Sequence, residues 1–149
     1  MMPELNFPEY IFSTRGENKN KEIFDPARRK YVSLTPEEWV RQHLIQYLIQ
    51  EKKIPIALLA VEYSLVYHKL NKRCDILVFN RQGSPVMLLE CKAPSVALSE
   101  KTLEQIARYN MAFKVSYLLV SNGLSHYCFH INHETEMIKI LPEIPTLAL

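Results

Sequence analysis

Asp75-Ile76-Leu77-Val78-Phe79, then Arg81-Gln82-Gly83-Ser84-Pro85, then Val86-Met87-Leu88-Leu89-Glu90-Cys91-Lys92: these residues decide the fold. Two short apolar runs bounded by turn-forming residues predict two strands joined by a tight connection. Pro94 has no amide to give to a ladder, so the second strand stops soon after Lys92. Side chains two apart on a strand share a face. Glu90 and Lys92 are therefore expected to point together, with Cys91 toward the opposite layer. Asp75 opens its strand directly after the turn Asn71-Lys72-Arg73, and if the two strands pair it lies beside Glu90.

Working outward, Leu58 to Tyr67 carries a further strand pattern. Upstream, Thr35-Pro36-Glu37-Glu38 opens a helix: threonine suits the cap, proline the first helical position, and Glu38 completes a capping box. Val40, Leu44 and Leu48, with Ile45 and Ile49, give its apolar stripe, which ends near Lys52-Lys53. Downstream, Ser99 caps a second helix to about Phe113, with Leu103, Ile106, Ala107 and Asn110 along one side. Val115 to Val120 reads as a buried strand closed by Ser121-Asn122-Gly123. His126 to Ile131 and Met137 to Leu141 form a hairpin around Asn132-His133-Glu134. The fold class is therefore α/β (α+β), an αβββαβ core with a central mixed sheet, flanking helices and an added C-terminal β-hairpin. Residues 1–30 read as an irregular arm with at most a short strand, and 31–149 as a single domain.

The bulk properties agree with one globular domain. The chain has 149 residues, 48% of them apolar and 23% charged, with only 3 glycines. No apolar run approaches the roughly 20 residues of a membrane-spanning helix, and the first residues lack the pattern of a secretory signal. Cys74, Cys91 and Cys128 form no CxxC, and three cysteines cannot all pair, which fits a reduced, cytoplasmic setting. A net charge of +2 leaves any nucleic-acid binding to local patches such as Arg28-Arg29-Lys30, Lys52-Lys53, and Lys69 with Lys72-Arg73.

Chemistry concentrates at Asp75, Glu90 and Lys92. Two carboxylates brought close repel unless a proton or cation lies between them. Mg²⁺ takes oxygen ligands, keeps several waters and is usually held by one or two carboxylates plus substrate phosphate. A lysine on the same face suits a water or a phosphate gathering charge. Glu-x-Lys occurs three times, at Glu17, Glu51 and Glu90, but only the last ends a strand written for burial. On the second helix Gln105 and Tyr109 are four apart and share a face, with Arg108 beside them. The first helix adds Glu37 or Glu38. Glu37 lies more nearly in line with Val40, Leu44 and Leu48, whereas Glu38 has its place in the capping box, and helical periodicity does not choose between them.

Taken together, these residues resemble the PD-(D/E)XK, or restriction-endonuclease-like, nuclease superfamily, in its order and on its core. Gln105 and Tyr109 resemble the QxxxY motif of its RecB-like branch. Leu34-Thr35-Pro36-Glu37-Glu38-Trp39-Val40-Arg41-Gln42 further resembles the N-terminal nuclease domain of type I restriction enzyme R subunits. The likeness spans residues 28 to 141. It implies metal-dependent hydrolysis of DNA, with Asp75, Glu90 and Glu38 as ligands of Mg²⁺ (Mn²⁺ as substitute) and Lys92 as the catalytic lysine. Gln105, Tyr109, Arg108 and Arg41 would contact substrate. The expected partners are DNA and either a second copy or restriction-complex subunits, without a membrane. Cys74 stands where the superfamily usually writes proline. No GxxxxGK[ST] loop is present, so cutting would proceed without a motor of its own.

Two other outcomes follow from the same residues. The fold is also compatible with the alternative of a non-catalytic nucleic-acid-binding or partner-dependent subunit, against which the intact set of charged residues argues. His126, Cys128 and His130 alternate on one strand, with His133 just beyond, so a Zn²⁺ or Cu²⁺ site is conceivable. A polar face on an outer strand explains them more simply, with Tyr127, Phe129 and Ile131 toward the core. His43 and His68 are expected at the surface.

Overall fold

The computed structural model describes residues 2–149. Its main sheet has six strands in the order β4 (Leu59–Tyr67), β5 (Leu70–Phe79), β6 (Pro85–Cys91), β7 (Tyr117–Ser121), β8 (His126–Asn132) and β9 (Met137–Leu141). All neighbours are antiparallel except β6 and β7, which run parallel. That parallel pair needs a crossover, and α2 (Glu100–Met111) supplies it. The order α-β-β-β-α-β with a terminal hairpin is as the sequence predicts, and the hairpin extends the central sheet.

Helix α1 (Pro36–Gln50) begins where expected, with Thr35 Oγ1 accepting the Glu38 amide at 3.0 Å. Val40, Leu44, Ile45 and Leu48 pack against Ile76, Val78, Met87, Leu89 and Leu119 on one face of the sheet. On the other face, Leu103 and Ala107 of α2 meet Leu77, Leu88, Leu118 and Val120. Each fully buried aliphatic side chain contributes about 1.5–3 kcal/mol, so the strands shared by both layers, β5 to β7, are the most firmly held.

Four expectations are corrected. The N-terminal segment is not an irregular arm: β1 (Thr14–Arg15), β2 (Glu22–Asp25) and β3 (Lys30–Ser33) form a second, antiparallel sheet. This segment covers the side of α1 that its polar residues would otherwise expose to water. Arg41, Gln42 and His43 are consequently buried, and His43, expected at the surface, packs among Phe7, Tyr10, Phe12 and Trp39.

The turn between β4 and β5 is not at Asn71-Lys72-Arg73. It falls at His68-Lys69, with His68 at a φ of 55°, and residues 70–74 remain extended opposite Tyr63 to Tyr67. The residues that carry turn propensity here are held in a ladder by the partner strand. Finally, β8 is not an outer strand, because β9 pairs along its far side. Cys128 accordingly lies in the core with Leu119 and Cys91.

Candidate metal site at a strand fork

β5 and β6 pair from Val78 and Met87 to Ile76 and Leu89, and there the ladder ends. The next residue on β5 is Asp75, facing Glu90. Its carboxylate enters the gap: Oδ2 accepts the amide of Cys91 at 2.7 Å. β6 stays in the sheet by its other edge, where Glu90 pairs with Val120 and Cys91 with Ser121, and the Lys92 amide donates to the Ser121 carbonyl at 2.8 Å. A side-chain acid thus takes the place of a ladder bond at the fork.

The opposite edge of β5 is interrupted at the same level. Val61 pairs with Ile76 and Tyr63 with Cys74, but Glu62 and Asp75 do not pair. Glu62 has a φ of 54°, uncommon for a residue with a side chain and typical of places where a strand is forced to twist. Cys74 packs on the α2 side, where strict alternation from Ile76 would send it to the α1 side. The strand therefore rotates at Asp75.

The charges around the fork act on one another. Burial pushes the Asp75 carboxyl above the usual carboxylate range. The charge of Glu90 adds to this, while the Cys91 amide, Arg41 and Lys72 oppose it. Glu37, in the first turn of α1, is also raised, by partial burial and then by Asp75, with Arg41 and Lys92 opposing. Burial raises the thiols too: Cys74 to about 11, and Cys91 well above its ordinary value. Both stay protonated and are poor ligands.

Glu90 is not free. Lys72 Nζ lies 2.6 Å from its Oε1, with the two side chains only 12% and 14% exposed. The same ammonium stands 5.2 Å from the centre of the Tyr109 ring, which α2 presents half exposed. Gln105, on the same side of α2, is exposed, and Arg108 pairs with Glu104 at 3.2 Å. Among the described residues no hydrogen bond or ion pair joins Lys92 to Asp75 or Glu90.

Glu38 and Arg41 lie deeper. Both carboxylate oxygens of Glu38 receive Arg28 Nη2, at 2.9 and 3.0 Å; Gln42 adds 3.0 Å and Arg41 Nε 3.2 Å. Arg28 also grips Asp25 at 2.7 Å and Glu62 at 3.3 Å. The capping box is therefore only half made: the Glu38 amide bonds Thr35, but its side chain turns inward to bind the N-terminal sheet. Arg41 is 5% exposed; its Nε and Nη1 make ion pairs with Glu38 and Glu62 without hydrogen-bond geometry, and its charge acts on Asp75.

Sequence reasoning placed Lys72 and Arg28 only in basic patches and missed their pairing with Glu90, Asp25 and Glu38, and it missed Glu62 altogether. Lys72 was hidden by the turn propensity of its neighbours, and nothing in the sequence marks the left-handed backbone at Glu62.

The histidine alternative finds no support. Both ring nitrogens of His126 are engaged, by Ser121 Oγ at 2.7 Å and the Asn6 carbonyl at 2.8 Å, and His130 packs against Tyr117. Among the described residues no group of three or more His, Cys, Asp or Glu is arranged to hold a metal ion. At the fork itself, Asp75 and Glu90 bring two carboxylates to one level of the sheet, with the Cys91 amide and the Lys72 ammonium as their partners.

Comparison with known proteins places the chain. The family model described as the type I restriction enzyme R protein N terminus matches residues 36–145, which include α1, the fork and α2. Among solved structures, a similar one is a fragment named for the HsdR subunit of a type I restriction enzyme from Vibrio vulnificus YJ016. It has 19% identity and a TM-score of 0.40, over 59% of this chain and 19% of that one. The chain therefore spans less than a fifth of that relative's length. No curated protein matches.

Proposed function

Since the chain belongs to the family of the type I restriction enzyme R protein N terminus, we propose that its restriction-related role is the divalent-metal-dependent hydrolysis of DNA phosphodiester bonds at the β5–β6 fork. The observation that carries this is the hydrogen bond from the Cys91 amide to Asp75 Oδ2, which leaves the other carboxylate oxygen of Asp75 without a donor among the described residues, beside Glu90. Asp75 and Glu90 would hold Mg²⁺. Glu37, which feels the charges of Asp75 and Lys92 from the first turn of α1, would join them on metal binding. Glu38 is committed to Arg28 and supports the frame.

When bound, the ion would draw charge from a phosphoryl oxygen and make a water easier to deprotonate. Lys92 would orient that water or meet charge growing on the phosphate. Gln105 and Tyr109 present donors on the exposed side of α2, where a nucleic-acid strand would pass. Arg41 acts from below as a fixed charge, holding down the repulsion among the acids.

A second reading rests on the ion pair between Lys72 and Glu90: an ammonium already balances one acid, as expected of a DNA-binding or partner-dependent subunit that does not cut. Incubation of supercoiled, linear and single-stranded DNA with Mg²⁺ or Mn²⁺ separates the two. Metal-dependent cleavage that drops at least about a hundredfold in Lys92→Ala supports hydrolysis. Retention of DNA without nicking under every condition supports the binding subunit.

A further inference from the structure

We propose that Lys72 is a displaceable counter-cation that lowers the fork's affinity for divalent metal until a DNA phosphate arrives. The inference rests on the metal-site reading above. Its starting point is geometric: the Lys72 ammonium lies 2.6 Å from Glu90 Oε1, in the position an ion held by that carboxylate would take. Both side chains are largely buried, so water screens the contact poorly. Around the fork, Lys72, Lys92 and Arg41 stand near Asp75, Glu90 and Glu37, with Arg41 also paired to Glu38 and Glu62. A divalent ion approaching Glu90 meets an ammonium directly, and that repulsion weakens its binding.

A phosphate changes this. It brings a negative charge and oxygen ligands of its own, and it offers Lys72 an alternative partner. The Tyr109 ring, 5.2 Å from Nζ, gives the ammonium a second contact toward the exposed side of α2, so it can leave Glu90 without being left bare. Metal and DNA should therefore bind cooperatively, each strengthening the other by the same factor.

Calorimetric titration of Mn²⁺ into the chain tests this, with wild type, Lys72→Met, Lys72→Arg and Asp75→Asn compared without DNA. A parallel set in a Lys92→Ala background, which prevents turnover, is titrated with a short duplex present. Lys72→Gln, which retains a donor for Glu90, serves as the neutral variant if Lys72→Met fails to fold by circular dichroism. The proposal expects the neutral variant to bind Mn²⁺ about ten- to a hundredfold more tightly than wild type without DNA, the worth of one charge-assisted contact. Lys72→Arg should bind no more tightly, and duplex should improve affinity in the lysine form far more than in the neutral form. Mn²⁺ binding that depends on Asp75 but is unchanged or weaker in the neutral variant overturns the latch and leaves the metal site standing. Folded proteins that bind no Mn²⁺ through Asp75, with or without duplex, overturn both.

Discussion

The carboxylate of Asp75 accepts the amide of Cys91 at 2.7 Å, so the acid of one strand is tied to the Glu90–Cys91 peptide of the next. This contact fixes the spacing of the site. It occurs where the ladder between the strands has ended, and it keeps the amide of a buried residue from being left without a partner.

Glu37 and Glu38 should separate function from stability. Glu38→Gln breaks the pairing with Arg28 in a buried network and should destabilise the fold by about 3–5 kcal/mol. Glu37→Gln should leave the denaturant midpoint close to wild type and lower Mn²⁺ affinity. Chemical denaturation and metal titration of the two variants check this directly.

Asp75 should cost the metal-free protein stability at neutral pH. Its folded-state pKa is raised by burial and by Glu90, so between the unfolded value, about 4, and the raised folded value the native state holds more protons. Stability then falls as pH rises through that window and stays lower above it. Asp75→Asn, whose amide oxygen still accepts from Cys91, should melt higher than wild type at pH 7, with the difference vanishing near pH 3. Saturating Mn²⁺ should narrow the gap by stabilising wild type alone. Melting curves at the two pH values provide the check.

His130→Ala should leave both Mn²⁺ affinity and DNA cleavage unchanged, because His130 packs on Tyr117 and lies in no ligand cluster. A loss of bound Zn²⁺ in this variant, measured by elemental analysis, would move the metal chemistry to β8.

Gly123 should resist substitution. Its φ is 86°, and a Cβ there would stand 2.8 Å from Leu5 Cδ2 and 3.0 Å from Val40 Cγ2. Its carbonyl also receives the Asn6 amide at 2.8 Å, pinning the N-terminal segment over α1. Gly123→Ala should lower stability by about 1–3 kcal/mol, seen as a melting temperature roughly 3–10 °C lower.

Much of this was legible before any coordinates. The branched apolar runs around Leu77 and Leu88, the cap at Thr35 and the stripe through Val40, Leu44 and Leu48 specify elements by local rules, and all appear where expected. Strand pairing carries Asp75 to the level of Glu90, although the alternation itself breaks at Asp75. What local rules missed was set by distant parts of the chain. Lys72 is held extended by Leu65 on the neighbouring strand. Glu38 abandons half of its cap because Arg28, ten residues earlier, offers two charged hydrogen bonds. His43 is buried because an N-terminal segment with little pattern of its own lies over it.

A crystal of the chain soaked in Mn²⁺ and measured for anomalous scattering tests the central claim most directly. The account predicts a peak at the β5–β6 fork, touched by Asp75 and Glu90, with Lys72 moved off Glu90 toward Tyr109. A saturating soak that leaves the fork without a peak, or places the ion against other residues, would contradict it.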